Sequence, residues 1–336
     1  MKAVSTVAPL GPEIPLTPDP SPTRGEGRMQ PLAPDSSPRG LEGKLAERSR
    51  FVAYAELTKP RIALMVLFTV VIGAVLATGG RVDLLLLAHT VLGTALVAAG
   101  ASTLNMYLER RADARMRRTE GRPLPAGRLR PAEALLFGSA LGVGGTVYLW
   151  AALPQPWAAL VAAVTFVTYV FVYTPLKRVT PLNTLVGAVP GALPPLIGWT
   201  AAGGTLDIEA AGLFLIVFFW QVPHFLAIAW IHREDYARGG FLMLPVVDRD
   251  GSVTARNMAV YCLALVPASL LPALSGRVGL VYVLVAPLLG LAFFASTLGF
   301  LRGATTASAR RVLRGSLLYL PAVLALLLID GLVRRF

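Results

Sequence analysis

Residues 84–104 have the sequence LLLLAHTVLGTALVAAGASTL, an almost unbroken apolar run that is followed at once by Asn105, Glu109 and Asp113. A run of this length matches the roughly 17–25 residues that an α-helix needs to cross the hydrocarbon core of a bilayer. The stretch therefore predicts a membrane-spanning helix that ends in polar residues at the membrane rim.

Similar apolar runs recur along the chain and decide the fold class. Of the 336 residues, 55% are apolar and 15% are charged, whereas soluble domains are about 25% charged. We therefore expect an all-α fold, a polytopic integral membrane helical bundle of about nine transmembrane helices. The predicted spans are residues 62–78, 84–104, 132–153, 157–173, 182–202, 208–231, 258–274, 281–300 and 315–333.

The two ends of the chain differ in kind. Residues 1–47 are rich in Pro, Ser and Gly and contain no hydrophobic run, which predicts a disordered tail. Residues 48–336 form the predicted transmembrane domain. Inside it, Cys262 is the only cysteine, which excludes an intrachain disulfide, and we interpret His89 as structural.

The net charge of +12 has a topological explanation, because the basic residues are concentrated in alternate loops. Cytoplasmic loops of membrane proteins carry an excess of Lys and Arg. This pattern predicts a multi-pass protein of the cell (inner) membrane, with the N-terminus and the basic loops in the cytoplasm and the C-terminus outside. It explains the charge better than a nucleic-acid partner does.

The polar residues after the second span form the first candidate site. If the helix continues past residue 104, Asn105, Glu109 and Asp113 lie one turn apart on one face. Amide and carboxylate oxygens are ligands for Mg²⁺, which usually shares its coordination with substrate phosphates, and Arg118 and Arg122 can pair with phosphate charge. The alternative is a solvated helix end in which the carboxylates pair with arginines.

The end of the sixth apolar block and the segment that follows it, residues 220–245, form the second candidate. On a continuous helix, His224 and His232 lie eight residues apart on one face, with Asp235 a further turn away. Ionisable groups within a span indicate function by default. The alternatives are a hydrogen-bonded core histidine and, for Glu234 and Asp235, a rim salt bridge with Arg233 or Arg238. Lys177 and Arg178 lie at the same rim. Either they belong to the general excess of basic residues in cytoplasmic loops, or they have a role in binding.

Together these motifs resemble those of the UbiA superfamily of intramembrane prenyltransferases, and in particular its branch that farnesylates haem. The resemblance covers about residues 55–330. The motifs that carry it are Asn105-xxx-Glu109-xxx-Asp113, Met116-x-Arg118-Thr119, Tyr173-Thr-Pro-Leu-Lys177-Arg178, Trp220-Gln-Val-Pro-His224-Phe225 and Arg233-Glu234-Asp235-Tyr236.

The resemblance implies a reaction between farnesyl diphosphate and haem B, with water, that gives haem O and diphosphate, with Mg²⁺ as cofactor. The implied metal ligands are Asn105, Glu109 and Asp113. To these three the catalytic set adds Lys177, His224 and Asp235. The implied substrate-binding residues are Arg118, Arg122, Tyr173, Arg178, His232, Arg233 and Glu234. For His224 the resemblance leaves open a role as haem-iron ligand or in orienting the vinyl group.

Membrane lipid surrounds the predicted bundle, and haem A synthase or the terminal oxidase assembly machinery are candidate protein partners. Three other functions stay open. A related prenyltransferase would use a quinone precursor or a chlorin as acceptor. A transporter would carry ionisable groups near the bilayer midplane, whereas here they cluster at one rim. A non-catalytic haem-handling factor would tolerate loss of Glu109 and Asp113.

Overall fold

The computed structural model describes residues 49–333, and in this part of the chain every regular element is helical. The predicted tail, residues 1–47, lies outside the described residues. The helices are α1 (residues 49–57), α2 (Pro60–Thr78), α3 (Leu84–Asp113), α4 (Pro131–Ala152), α5 (Trp157–Val167), α6 (Thr174–Leu176), α7 (Asn183–Ala192), α8 (Pro194–Ala201), α9 (Ile208–Ile231), α10 (Arg233–Arg238), α11 (Leu244–Val247), α12 (Ser252–Ala268), α13 (Leu280–Arg302) and α14 (Thr306–Val333).

Eight helical segments in the described residues are long and apolar enough to cross a membrane. Six of them are the single helices α2, α3, α4, α9, α13 and α14. The other two are composite: α5 continues through a π-helical turn (Thr168–Tyr173) into α6, and α12 is followed by a 3₁₀ turn (Leu271–Ser275). The chain is therefore a multi-pass membrane protein.

The predicted fifth span, residues 182–202, is present as two short helices instead of one. α7 ends at Ala192, and α8 begins at Pro194. Proline has no N–H to donate and its ring clashes with the preceding turn, so a helix breaks or kinks there. Gln221 of α9 donates its amide to the carbonyl of Ala188 in α7 at 3.3 Å, which adds a polar partner to the backbone beside this break.

α9 is the central helix of the bundle. Half of the residues in its most apolar 18-residue stretch are buried inside the protein, against 28–33% in the other seven spans. α9 packs on α7, α12 and α14. Small residues bring other helices close together: Gly100 of α3 lies against Gly142 of α4, and Gly198 of α8 lies against the backbone of α2. Such contacts are typical of helix packing in membranes.

Candidate functional site

The first candidate site lies at the end of α3. The helix runs on to Asp113, as predicted, so Asn105, Glu109 and Asp113 follow one another at one-turn intervals. All three side chains are buried. They form a polar stripe (Asn105, Glu109, Asp113) turned into the protein and away from lipid and water. The prediction of a shared face is confirmed, and the alternative of a solvated helix end does not fit this burial.

Each member of the polar stripe meets a cation from a different part of the chain. Lys59 Nζ donates to Asn105 Oδ1 at 2.9 Å, and Lys177 Nζ donates to Glu109 Oε1 at 2.6 Å. Arg122 donates to Asp113 Oδ2 at 2.7 Å. The predicted residues Lys177 and Arg122 therefore do lie at the stripe. The group holds three basic side chains for two carboxylates.

Lys59 is a site residue that the sequence did not single out. It directly precedes α2 and has φ 49°, which makes it the one non-glycine residue with positive φ between residues 49 and 333. Such a backbone is uncommon, and it persists only where the surroundings hold it. Burial, together with the neighbouring Arg122, lowers the pKa of Lys59 to about 7. Its only sequence signal was a lysine placed immediately before the proline that opens the first span.

The π-helical turn at the end of α5 shapes the opposite wall. It leads to Thr174, which accepts a hydrogen bond from Asn105 Nδ2 at 3.2 Å and donates to the carbonyl of Tyr169 at 2.9 Å. The ammonium of Lys177 lies 4.4 Å from the centre of the Tyr173 ring, a cation–π contact. Single π-turns inside α-helices are frequent at functional sites. Here the turn brings the predicted residues Tyr173 and Lys177 to the polar stripe.

The ion pair between Lys177 and Glu109 is strongly shielded from water, since the two side chains are 12% and 8% exposed. Burial alone would lower the pKa of Lys177, but the Glu109 carboxylate together with Tyr173 and Tyr169 outweighs it, so the pKa is raised above its ordinary value. Lys177 is therefore a fixed positive charge at this end of the bundle.

Asp113 has one oxygen without a partner. Its Oδ2 accepts from Arg122, whereas its buried Oδ1 has no hydrogen-bond partner among the described residues. Buried polar atoms are normally satisfied, and an exception requires an explanation such as a bound ion. Between residues 49 and 333 no group of three or more His, Cys, Asp and Glu side chains is arranged to hold a metal. The polar stripe offers two carboxylates and one amide, a donor set that fits Mg²⁺ when phosphate oxygens supply the remaining ligands.

The second candidate segment does not continue one helix face, so that prediction was wrong. α9 ends at Ile231, His232 follows as an irregular cap, and α10 begins at Arg233. The chain turns at this point, and Asp235 is consequently not one turn further along the face of His224. The apolar block predicted the end of the span at residue 231, but no glycine or proline at this point marks the turn between α9 and α10.

Asp235 joins the two motif-bearing segments. Its Oδ1 accepts a hydrogen bond from the backbone N–H of Arg117 at 3.2 Å and pairs with Arg238. The hydrogen bond from Arg238 lowers the pKa of Asp235 below its usual range. The same two segments also meet in a small apolar cluster, in which buried Met116 packs with Phe241. The rim salt bridge that the sequence left as an alternative is thus present, between Asp235 and Arg238.

The remaining predicted binding residues surround this link. Arg118 lies over the ring of Tyr236 at 5.6 Å, and Arg178 over the ring of Phe241 at 5.8 Å. Arg233 lies over Trp230 at 4.4 Å. His232, Arg233, Glu234 and Asp235 also line a cleft of about 180 Å³. Burial lowers the pKa of His232.

His224 is placed apart from the rim. It lies seven residues before the end of α9, which corresponds to about 10 Å along the helix axis. Its ring stacks on Trp220 with centroids 4.8 Å apart, and its Nδ1 lies 2.8 Å from Ser316 Oγ on α14. The interpretation of His89 as structural agrees with its hydrogen bond to the Tyr148 hydroxyl at 2.5 Å.

Comparisons with known proteins assign these features to a family. Residues 66–320 match the model of the UbiA prenyltransferase family. A protoheme IX farnesyltransferase of Solibacter usitatus is 48% identical over 286 residues, which cover 82% of this chain and 98% of the relative. A protoheme IX farnesyltransferase of Salinibacter ruber is 48% identical over 277 residues, with 82% and 98% covered.

Solved structures agree on the fold. The chain is similar to a structure of digeranylgeranylglyceryl phosphate synthase, with a TM-score of 0.72 and 18% identity, over 84% of this chain and 99% of the other. It is also similar to a UbiA homologue from Archaeoglobus fulgidus bound to DMAPP and Mg²⁺, with a TM-score of 0.57 and 16% identity, over 81% and 98%. Since the family match covers most of the chain and the curated relatives align over nearly their whole length, this chain belongs to the UbiA prenyltransferase family.

Proposed function

We propose that this chain transfers the farnesyl group of farnesyl diphosphate to a vinyl group of haem B, with water, and releases haem O and diphosphate. The observation that carries this proposal is the convergence of three basic side chains on the buried polar stripe at one end of the bundle. The acceptor is inferred from the relatives, whose name specifies protohaem IX and a farnesyl group.

The basic side chains around the polar stripe are suited to binding the leaving diphosphate. Cleavage of an allylic diphosphate places negative charge on the departing oxygens, and prearranged positive groups stabilise that charge. Lys59, Lys177 and Arg122 supply such groups from three separate segments. Arg118 and Arg178, which lie over aromatic rings at the same rim, add further positive charge.

We also propose that Asn105, Glu109 and Asp113 hold Mg²⁺, and the unpartnered oxygen of Asp113 supports this assignment. The ion would supply Lewis-acid neutralisation of the diphosphate when bound. The structure of an Archaeoglobus fulgidus homologue with DMAPP and Mg²⁺ is consistent with a metal in this fold. Asp235 has a different proposed role: it holds the two rim segments together through Arg117 and Arg238.

The orientation follows from charge. The last turn of α3 and the loop that follows it contain eight arginines between residues 110 and 130, and such loops stay on the cytoplasmic side. We therefore propose that the polar stripe faces the cytoplasm of a cell (inner) membrane and that the C-terminus lies outside. Haem O would then pass to haem A synthase or to the terminal oxidase assembly machinery.

Extracted haem from membranes of cells that express the chain tests this function. We expect haem O with the unaltered chain and none with a Glu109→Ala, Asp113→Ala variant. Glu120→Ala is a matched control, because this carboxylate is exposed in the same loop region, and it should leave haem O production intact. No haem O from the folded, unaltered chain supplied with farnesyl diphosphate and haem B would refute the acceptor. Equal amounts from the double variant would refute the role of the polar stripe.

A further inference from the structure

The hydrogen bonds around Ser316 fix the protonation of His224. Ser316 Oγ lies 2.6 Å from the carbonyl oxygen of Leu313. A carbonyl oxygen carries no hydrogen, so the single hydroxyl hydrogen of Ser316 must be donated there. Ser316 can offer His224 only a lone pair, and His224 Nδ1 must therefore be the donor across the 2.8 Å contact.

This arrangement leaves the other ring nitrogen as a base. In a neutral imidazole with hydrogen on Nδ1, Nε2 carries a free lone pair. His224 is half-buried, and its Nε2 has no hydrogen-bond partner among the described residues. The chain thus holds an unpartnered imidazole nitrogen within a membrane span.

The orientation of the His224 ring is also fixed. Trp220, one turn earlier on α9, stacks on His224 with an interplanar angle of 25°. The Trp220 indole donates to the carbonyl of Ser316 at 2.7 Å, so the same residue of α14 anchors both aromatic rings. Histidines that ligate metals typically donate their second ring N–H to a protein acceptor, which fixes the tautomer and the ring orientation.

We propose that His224 Nε2 is the axial ligand of the haem iron in the bound acceptor, with Ser316 as a positioning residue that fixes the imidazole tautomer. Imidazole is a common protein ligand of haem iron. The inference rests on the proposed function, which supplies haem B as the substrate. The site lies about 10 Å deeper in the bundle than the end of α9, which places the iron within the membrane-spanning part while the diphosphate stays at the rim.

Ferric haem B bound to the purified full-length chain tests this proposal by electron paramagnetic resonance. With histidine labelled by the heavy nitrogen isotope, we expect a hyperfine change in the unaltered chain. The change should be absent in His224→Ala and retained in His89→Ala and His232→Ala, which remove the two other histidines of the chain. Added imidazole should restore a nitrogen ligand in His224→Ala.

Ser316→Ala provides an independent test that keeps the imidazole. We expect the histidine signal to persist while haem affinity falls about 10–100-fold, as is usual when a partner of a metal-bound histidine is lost. A histidine signal retained in His224→Ala, or unchanged affinity in Ser316→Ala, would overturn the proposal. If the unaltered chain makes haem O and yet shows no histidine coupling, only the iron ligand is wrong. If it makes no haem O, the proposed function itself fails.

Discussion

Gly198 of α8 lies directly against the backbone of α2, and replacing it with alanine should separate the two helices. A Cβ atom at this position would lie 1.8 Å from the carbonyl oxygen of Val70. Ordinary van der Waals contact begins at about 3.4 Å, so the helices would have to move apart by about 1.5 Å. The obstacle is a backbone atom, which cannot rotate away as a side chain can.

The cost of this movement can be estimated from the packing. Overpacking typically costs about 1–3 kcal/mol, and a backbone clash belongs at the upper end of that range. For domains of about 150–250 residues 1 kcal/mol corresponds to about 2–4 °C. This longer chain lies at the lower end, which gives a decrease in Tm of about 4–6 °C for Gly198→Ala. Haem O formation should also fall, because α2 follows Lys59, which contacts Asn105.

Gly144→Ala is the matched control. Gly144 also lies within a transmembrane helix, α4, but a Cβ there has no neighbour within 4 Å. Alanine favours a helix over glycine by about 0.5–1 kcal/mol, so this variant should keep or slightly raise the Tm. Both variants can be measured by thermal unfolding of the detergent-solubilised protein. A Gly198→Ala protein with the Tm of the unaltered chain would refute the close backbone contact between α2 and α8.

Three further predictions concern the site. Asp113→Asn keeps the shape but removes a carboxylate from the proposed Mg²⁺ ligands. The Mg²⁺ concentration for half-maximal activity should rise by at least about 10-fold, the lower end of the cost when only a partner of a ligand is lost. An unchanged Mg²⁺ titration would exclude Asp113 as a ligand. The lowered pKa of Lys59, about 7 in the folded chain, means that the unfolded chain binds more protons between about pH 7 and pH 10, so stability should rise with pH in that window. Lys59→Met should lose part of that rise in a comparison of Tm against pH, and parallel curves for the two proteins would contradict the shift. Asp235→Asn should raise the KM for farnesyl diphosphate, because it weakens the link between the two rim segments. The Tm should change little, because a partly exposed ion pair contributes about 1 kcal/mol or less. Steady-state kinetics with an unchanged KM would show that this link is dispensable.

The sequence predicted the parts of the site that follow helical periodicity. The spacing of Asn105, Glu109 and Asp113 was sufficient because α3 continues without interruption to Asp113. Lys177 and Arg122 were recognised by charge and by motif, and both contact the stripe. Local sequence specifies the acceptors, since one regular helix carries all three. Lys177 lies 68 residues from Glu109 and was recognised by its motif instead.

Other features depended on contacts between distant segments. Lys59 and Thr174 both hydrogen-bond to Asn105 across the bundle, and no local pattern announces such a meeting. The predicted span over residues 208–231 matches α9, but the predicted continuation of one helical face to Asp235 was wrong, because no glycine or proline marks the turn at His232. The break between α7 and α8 was foreseeable, since it coincides with Pro194.

The ion pairs of the polar stripe imply that substrate enters by exchange of partners. Lys177 and Arg122 are already bound to Glu109 and Asp113 before any diphosphate arrives. Under the proposed function, diphosphate would compete with these internal pairs for the two cations, and the net affinity would be reduced by the strength of each internal contact that is given up. When the product diphosphate leaves, the internal pairs can form again and offset the lost contacts. Under the proposed function, Glu109 and Asp113 would thus act as counter-ions that favour release of the multiply charged product.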